Sequence, residues 1–315
     1  MSFSLCCARC EGPLRLAGDG YVCDRCAHRI TLRHGVLWVS TAEPPPLLPL
    51  AHAAREGDWV EAAKARLEAR GLGARDLMSR LSAVRTERAG DWHFLVDSGM
   101  DGTALVMGDR WGTHMAGLSR AAREVVLFEQ DPEAAEFLRA RVDQESLENV
   151  RAIVCGGSAA DFPFAPGQFS LVALLGSWVR AESRNGRPDA LEEILQAAFR
   201  LLAKGGTFVL GISNRWRFPL AWRNSDRARL AGTVPSIRAR LSRSGFQDLR
   251  FYLSQPDIDD IQALVSLDSK VALRYFHLVY RHPRARWKRV LLGAAINAGL
   301  IAVAAPSYVA IAKKP

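Results

Sequence analysis

The stretch Ala104-Leu-Val-Met-Gly-Asp-Arg-Trp-Gly112, the segment after it, and Val125-Val-Leu-Phe-Glu-Gln-Asp131 constrain this chain most. An apolar run enters a turn that carries Gly108 and Gly112, and an amphipathic segment runs from Thr113 to Arg123. A second apolar run then ends on the acid Glu129. Strand, glycine turn, helix, strand and acid make the front half of a nucleoside-binding α/β unit. Glycine suits such a turn because a side chain would hold the ligand away from the backbone. A carboxylate at the end of the next strand can accept hydrogen bonds from both hydroxyls of a ribose. The Gly-x-Gly-x-x-Gly of NAD enzymes is absent, because Arg110 stands at its second glycine. A hydride-transferring enzyme is therefore a distant third reading.

Further stretches follow in order: Phe162-Pro-Phe-Ala-Pro-Gly-Gln-Phe-Ser-Leu-Val172 and Leu202-Ala-Lys-Gly-Gly206. With Met107–Gly112 and Phe128–Glu133, their order and spacing resemble the class I S-adenosylmethionine-dependent methyltransferases, of the type 11 kind, over roughly residues 100–250. The fold this implies is an α/β, Rossmann-like, seven-stranded methyltransferase sheet. Its central strands are expected at Thr103–Met107, Val125–Glu129, Val150–Cys155, Phe169–Leu175 and Thr207–Ile212, each a continuous apolar run as buried parallel strands should be. Helices at Glu133–Gln144 and Asp189–Ala203 fill crossovers. A helix over Ser236–Ser244, a sixth strand near Gly245–Tyr252 and a closing antiparallel strand at Ser307–Lys314 complete the pattern.

The resemblance also implies a site. The cofactor would be S-adenosylmethionine, with Gly108, Asp109 and Gly112 around its methionine end, Glu129 on the ribose and Gln130 beside the adenine. Ser158 and Ala159 fall where an acid usually reads the adenine amino group, and Leu175 and Gly176 would lie under the cofactor near the acceptor. Trp178 would wall the substrate pocket. Three departures stand against this pattern: Val106 replaces an acid, Arg110 replaces a glycine and must swing clear of the cofactor, and Ser158 replaces the adenine-reading acid, with Asp161 close enough to substitute. They motivate a competing reading, a non-catalytic binding protein with a degenerate cofactor site. No general base is identifiable, although His114 follows the turn and could approach an acceptor. Leu175-Gly-Ser-Trp178 stands where enzymes that methylate exocyclic amines carry Asn/Asp-Pro-Pro-Tyr, which disfavours such targets.

Cys7-Ala-Arg-Cys10 and Cys23-Asp-Arg-Cys26 are the second strong signal. Each pair can direct two thiolates at one tetrahedral zinc, and the spacer suits a hairpin. A module this small has too little core to stand without a staple. The pairs therefore read as a zinc ribbon whose four thiolates leave no open coordination position, making the metal structural. Cysteines in metal pairs, with no signal peptide at Met1-Ser-Phe-Ser-Leu, point to a reducing cytoplasmic setting.

The domain plan reads as a ribbon at 1–40, a Pro-rich linker at 41–50, and a methyltransferase domain at 51–315. Within the last lie a helical cap at 51–90, with helices broken at Gly71 and Gly73, the cofactor core at 100–250 and a substrate or closing region at 251–315. Charge is uneven: residues 1–200 hold 23 Lys/Arg and 27 Asp/Glu, whereas residues 201–315 hold 19 and 6. The basic last third speaks of a partner, not of fold. Cations and aromatics interleave between Asn214 and Arg229, which suits phosphates or bases. The substrate reading is an anionic small molecule or a surface-glycan or lipid-linked precursor. RNA is the alternative, since a zinc ribbon ahead of this fold resembles bacterial large-subunit rRNA guanine methyltransferases. The run Val290–Ala305 is only sixteen residues, too short to span a bilayer, and Pro306 interrupts its extension to Ala312, so no transmembrane span is expected. A buried helix is expected there, or one lying peripherally on the inner membrane surface through residues 281–305 and Trp287.

Overall fold

The computed structural model of the protein describes residues 3–39, 48–69, 71, 74–85, 87–96, 100–157, 162–175, 190–213, 232–257, 260–279, 286–304 and 307–315. The apolar runs form the strands β5 (Thr103–Met107), β6 (Glu124–Glu129), β7 (Val150–Cys155), β8 (Phe169–Leu174) and β9 (Leu202–Ser213). Ahead of them lie β1 (Leu14–Ala17), β2 (Gly20–Cys23), β3 (Arg29–Arg33) and β4 (Val36–Trp38). After them come β10 (Gln247–Asp257), β11 (Asp260–Ser266) and β12 (Ser307–Lys313). All twelve belong to one sheet, ordered β1-β2-β3-β4-β7-β6-β5-β8-β9-β12-β10-β11.

The seven strands from β7 to β10 in that order are the expected sheet, with β5 through β9 parallel and β12 antiparallel between β9 and β10. The expectation of seven strands is too small for the whole sheet. β11 adds a strand at one edge, folding back on β10. At the other edge the ribbon hairpins continue the sheet, because β4 lies parallel to β7 with Val36, Leu37 and Trp38 opposite Ile153, Val154 and Cys155. A two-residue turn of His34 and Gly35, both at positive φ, brings β4 back along β3.

Helices cover both faces. On one, α4 (Thr113–Ala121) and α5 (Pro132–Gln144) pack with Trp92 against Val106, Val125 and Leu127. On the other, α6 (Ala190–Leu201) and α7 (Val234–Arg243) share a core with Phe162, Phe164, Phe169 and the ribbon residues Phe3, Ile30 and Leu37. Lys314 donates to the carbonyls of Phe199 and Leu202 at 2.7 Å each, so this terminal cation caps the basic-favouring end of α6.

Three helices precede the core: α1 (Pro49–Glu56), α2 (Trp59–Glu68) and α3 (Ala74–Arg85). Proline at the first turn of α1 costs no hydrogen bond there, so Pro49 starts a helix and is not linker. Asp58 accepts from the Val60 amide at 2.6 Å and starts α2, a break ahead of the one expected at Gly71 and Gly73. These helices lie against α5, where Leu50, Ala54, Trp59 and Ala63 meet Phe137 and Ala140.

Arg141 of α5 holds this junction. Its guanidinium stacks 4.0 Å over Trp59, pairs with Glu145 at 3.0 Å, and donates to the carbonyls of Trp111 and Val84, at 1% exposure. Arg141→Met keeps the stem but orphans two carbonyls and a carboxylate. It is expected to cost about 3 kcal/mol, read as a lowered midpoint in urea denaturation.

Trp92 falls in a 3₁₀ helix, Glu87–Leu95. The apolar run near the C-terminus is two helices, α9 (Arg286–Asn297) and α10 (Ile301–Ala304), separated at Gly299 with φ of 70°. The helix before them is α8 (Lys270–Val279). Among the described residues no helix is long and apolar enough to cross a membrane.

Candidate functional site

Parallel strands bring their carboxyl ends to one rim, where β6 delivers Glu129 and β5 delivers Gly108. Gly108 has φ of 80° and Gly112 φ of 72°, a left-handed conformation that favours glycine. At Gly112 a Cβ would also meet Met115 and Leu138 at 3.0 Å. The glycine is thus required by the packing of α4 on α5. Leu175 is fully buried, and its amide donates to the Met107 carbonyl at 2.9 Å, which levels the end of β8 with the glycine turn.

Glu129 is 3% exposed, and its Oε1 is buried with no hydrogen-bond partner among the described residues. Burial, and then the carboxylates of Asp109 and Asp131, push its carboxyl well above the usual carboxylate range, against the Arg110 guanidinium and a hydrogen bond from the Asp109 backbone. Opposite it in register, Cys155 is pushed up to about 12, chiefly by burial, and stays a neutral thiol. The folded state therefore holds a proton on Glu129 at pH values where the unfolded chain has released it. That contribution to stability is complete below the ordinary carboxylate value and is lost as pH rises through the raised one.

Asp109 has a different task from the one expected of a cofactor contact. Its carboxylate accepts from Thr113 Oγ1 at 3.1 Å and from the amides of His114 at 3.0 Å and Met115 at 2.6 Å. It caps the first turn of α4, so its carboxylate is committed to the helix. Arg110, the departure that could have blocked the turn, is turned toward α5, where it pairs with Asp131 at 2.9 Å and lies 3.7 Å from Glu133. Glu133 is 6% exposed, also accepts from Arg66 of α2 at 2.7 Å, and takes the Leu50 amide at 3.4 Å. Nothing local in the sequence announces this network, because Arg66 lies 67 residues from its partner.

Gln130 donates through Nε2 to the Gly157 carbonyl at 2.9 Å, beside Glu129. His114 is buried and its Nδ1 accepts from the Trp92 indole at 3.2 Å, so that nitrogen is engaged in the core. Trp111 packs edge-on to Phe137 at 5.5 Å, as a core residue does. Ser158, Ala159, Asp161, Gly176 and Trp178, and the basic stretch from Asn214 to Arg229, lie outside the described residues.

The second cluster is Cys7, Cys10, Cys23 and Cys26, whose Sγ atoms all lie within 4.8 Å of one another. The closest approaches are 3.5 Å for Cys7 and Cys26, and 3.4 Å for Cys10 with Cys23 and with Cys26. Sulfurs ~2.3 Å from a tetrahedral centre would stand ~3.8 Å apart, so the four fit one zinc-sized ion. Both pairs sit in the same turn. Glu11 and Ala27, each following a second cysteine, have φ of 54° and 56° and donate back to the Cys7 and Cys23 carbonyls. The Arg25 amide points at Cys23 Sγ at 3.4 Å, a donor suited to a thiolate. Cys6, one residue away, is buried and donates its amide to the Pro163 carbonyl, which docks the ribbon.

Residues 105–210 match the family described as "Methyltransferase domain". No curated protein matches the chain. Among solved structures, phosphoethanolamine N-methyltransferase 2 of Haemonchus contortus is 16% identical over 73% of this chain and 52% of its own, with a TM-score of 0.47. This chain thus aligns with about half of that enzyme's length. A SAM-dependent methyltransferase of Thermotoga maritima is 15% identical over 76% of this chain and 93% of its own, with a TM-score of 0.47. A geranyl diphosphate methyltransferase in complex with SAM is 18% identical over 84% and 95%, with a TM-score of 0.46.

Proposed function

We propose that this chain is an S-adenosylmethionine-dependent methyltransferase, a reading supported by the match of residues 105–210 to a methyltransferase domain, that the cofactor lies across the carboxyl ends of β5, β6 and β8, and that the acceptor is an anionic small molecule or a surface-glycan or lipid-linked precursor. The observation that carries the cofactor placement is the buried Oε1 of Glu129, without a partner among the described residues, beside a turn of two left-handed glycines. A buried acceptor without a donor is costly, and the hydroxyls of a ribose would supply what it lacks. Gln130 adjoins the adenine in this reading. Gly108 and Gly112, with the backbone of Asp109, adjoin the methionine end, and Leu175 forms the floor. Ser158, Ala159 and Gly176 remain assigned by sequence position.

When bound, the cofactor supplies a methyl group on a sulfonium. The chain's own part is to orient and to exclude water. Asp109 fixes the first turn of α4, Arg110 braces the glycine turn on Asp131, and Leu175 keeps the floor apolar. Zinc on Cys7, Cys10, Cys23 and Cys26 would be structural, since four thiolates complete its coordination.

Support for an anionic acceptor comes from position. β9 ends at Ser213, at the carboxyl-end rim it shares with β8, and the sequence then carries Arg215, Arg217, Arg223, Arg227 and Arg229 against the single acid Asp226. The ribbon meanwhile turns Phe3, Ile30 and Leu37 into the core and joins the sheet edge, which favours a structural over an RNA-gripping role. Titrating RNA at rising salt checks this choice. A small-acceptor enzyme is expected to bind RNA weakly with a shallow salt slope, whereas a steep loss spanning several phosphates would overturn the reading in favour of RNA.

A further inference from the structure

We infer that the exposed face of α8 is a docking surface for an anionic lipid bilayer. On α8, Val271, Tyr275, Leu278 and Val279 are 79, 67, 65 and 59% exposed. At ~100° per residue these four positions cover an arc of about 100°, while Leu273, near the opposite side, is 2% exposed and packs with Ile296 and Ile301. The helix is therefore amphipathic in an inverted sense on its outer side, with a second apolar stripe that no described part of the chain covers. Lys270 and Arg274 are exposed and lie along one flank of that stripe. Val290 of α9 and Leu300 in the turn after it are also exposed, at 71 and 57%. Helices α8 and α9 are held close by Gly293, where a Cβ would meet His277 Nε2 at 2.7 Å, so the two form one unit.

Charge selects the occupant. From Ser269 to Pro315 the sequence carries nine Lys/Arg and no Asp or Glu. Lys313 ends β12 and Lys314 caps α6, which leaves seven cations in the sequence of α8, α9 and the segment between them. A second copy docking by the same face would set cation against cation. A nucleic acid would use the cations but gains little from an aliphatic stripe. An anionic bilayer uses both at once: the aliphatic side chains enter the acyl boundary while the Lys and Arg heads stay among the phosphates. The helices are too short to cross, so the contact lies in the plane of the surface.

The test is flotation of the full-length, metal-replete protein with vesicles of phosphatidylcholine alone or with about one-third phosphatidylglycerol. The protein is expected to float with the anionic vesicles, to release at high salt, and to lose at least about tenfold in partitioning in Val271→Gln/Leu278→Gln. Lys270→Glu/Arg274→Glu is expected to lose a similar factor, since each cation near such a surface contributes about fivefold and a reversed charge repels. Unchanged melting curves for both variants keep the reading on the surface and off the fold. No flotation with either vesicle overturns the inference, as does flotation that the Val271/Leu278 variant leaves intact. A dimer in solution that those same substitutions convert to a monomer also overturns it, because the stripe would then be an interface between copies. Methyl transfer enters none of these readouts, so the outcome is independent of the acceptor.

Discussion

Replacing Cys10 with serine is expected to unfold the ribbon and to strip β7 of its neighbour. The four sulfurs stand within 4.8 Å, and without a metal they are four thiols crowded on two turns. Structural zinc is worth ~10–16 kcal/mol in small zinc modules, far more than the core such a module builds alone. In this protein the loss would not stay local. β4 is the strand beside β7, and Phe3 packs edge-on to Phe164 at 6.1 Å on the approach to β8. Removing the ribbon exposes the backbone edge of β7, a template for aggregation. One zinc per chain is expected by metal analysis of the wild type. Cys10→Ser should lower the melting temperature by about 10 °C or more, given ~2–4 °C per kcal/mol in a domain of this size, and lose amide protection in β3, β4 and β7. A variant that keeps wild-type protection in β4 would show that the metal is not what holds this edge.

Glu129→Gln is expected to separate binding from stability. Hydrogen bonds to a charged partner contribute ~1.5–3 kcal/mol, so S-adenosylmethionine affinity should fall by about 10- to 100-fold. The ligand-free protein should become more stable near neutral pH, because the substitution removes a buried carboxylate whose charge is unfavourable there. A binding site that is strained when empty behaves in this way. Calorimetry and urea denaturation, run on the same pair of proteins, read the two effects. Loss of affinity together with loss of stability would make Glu129 a structural residue instead.

Much of the central fold was legible because buried parallel strands are written as continuous apolar runs. β5 and β7 coincide with the expected Thr103–Met107 and Val150–Cys155, and β6, β8 and the helix over Pro132–Gln144 differ by one residue at an end. β9 begins earlier, at Leu202, because the expected Gly turn is an excursion within it. Phe169 pairs with Leu202 and Leu171 with Thr207, around Gly205 at φ of 74°. The edges were not legible. Strand β4 is three residues long and finds its partner more than a hundred positions away, a pairing that no local pattern encodes. β11 falls in the 251–315 region, read from sequence only as a substrate or closing region.

At the site, the sequence singled out Glu129 and the glycine turn from residue type and position alone. It could not foresee how neighbouring side chains divide the work. Asp109 reads as a site acid, yet its short side chain is the right length to accept the amides of His114 and Met115. Arg110 reads as an obstruction, yet Asp131 and Glu133 draw it aside. Both outcomes depend on where α4 and α5 begin relative to each other, which is a property of the packed structure.

Glu129 combines a carboxyl held above its ordinary range with an oxygen that has no partner among the described residues, and proton release on cofactor binding measures its role most directly. Titrating S-adenosylmethionine calorimetrically in buffers of different ionisation heat should show binding with a proton released as pH approaches the raised Glu129 value from below. Affinity should climb with pH over that window, since the ionised carboxylate is the better acceptor. In Glu129→Gln both the release and the climb should vanish. No binding at millimolar cofactor, or an affinity that Glu129→Gln leaves unchanged, would contradict that role.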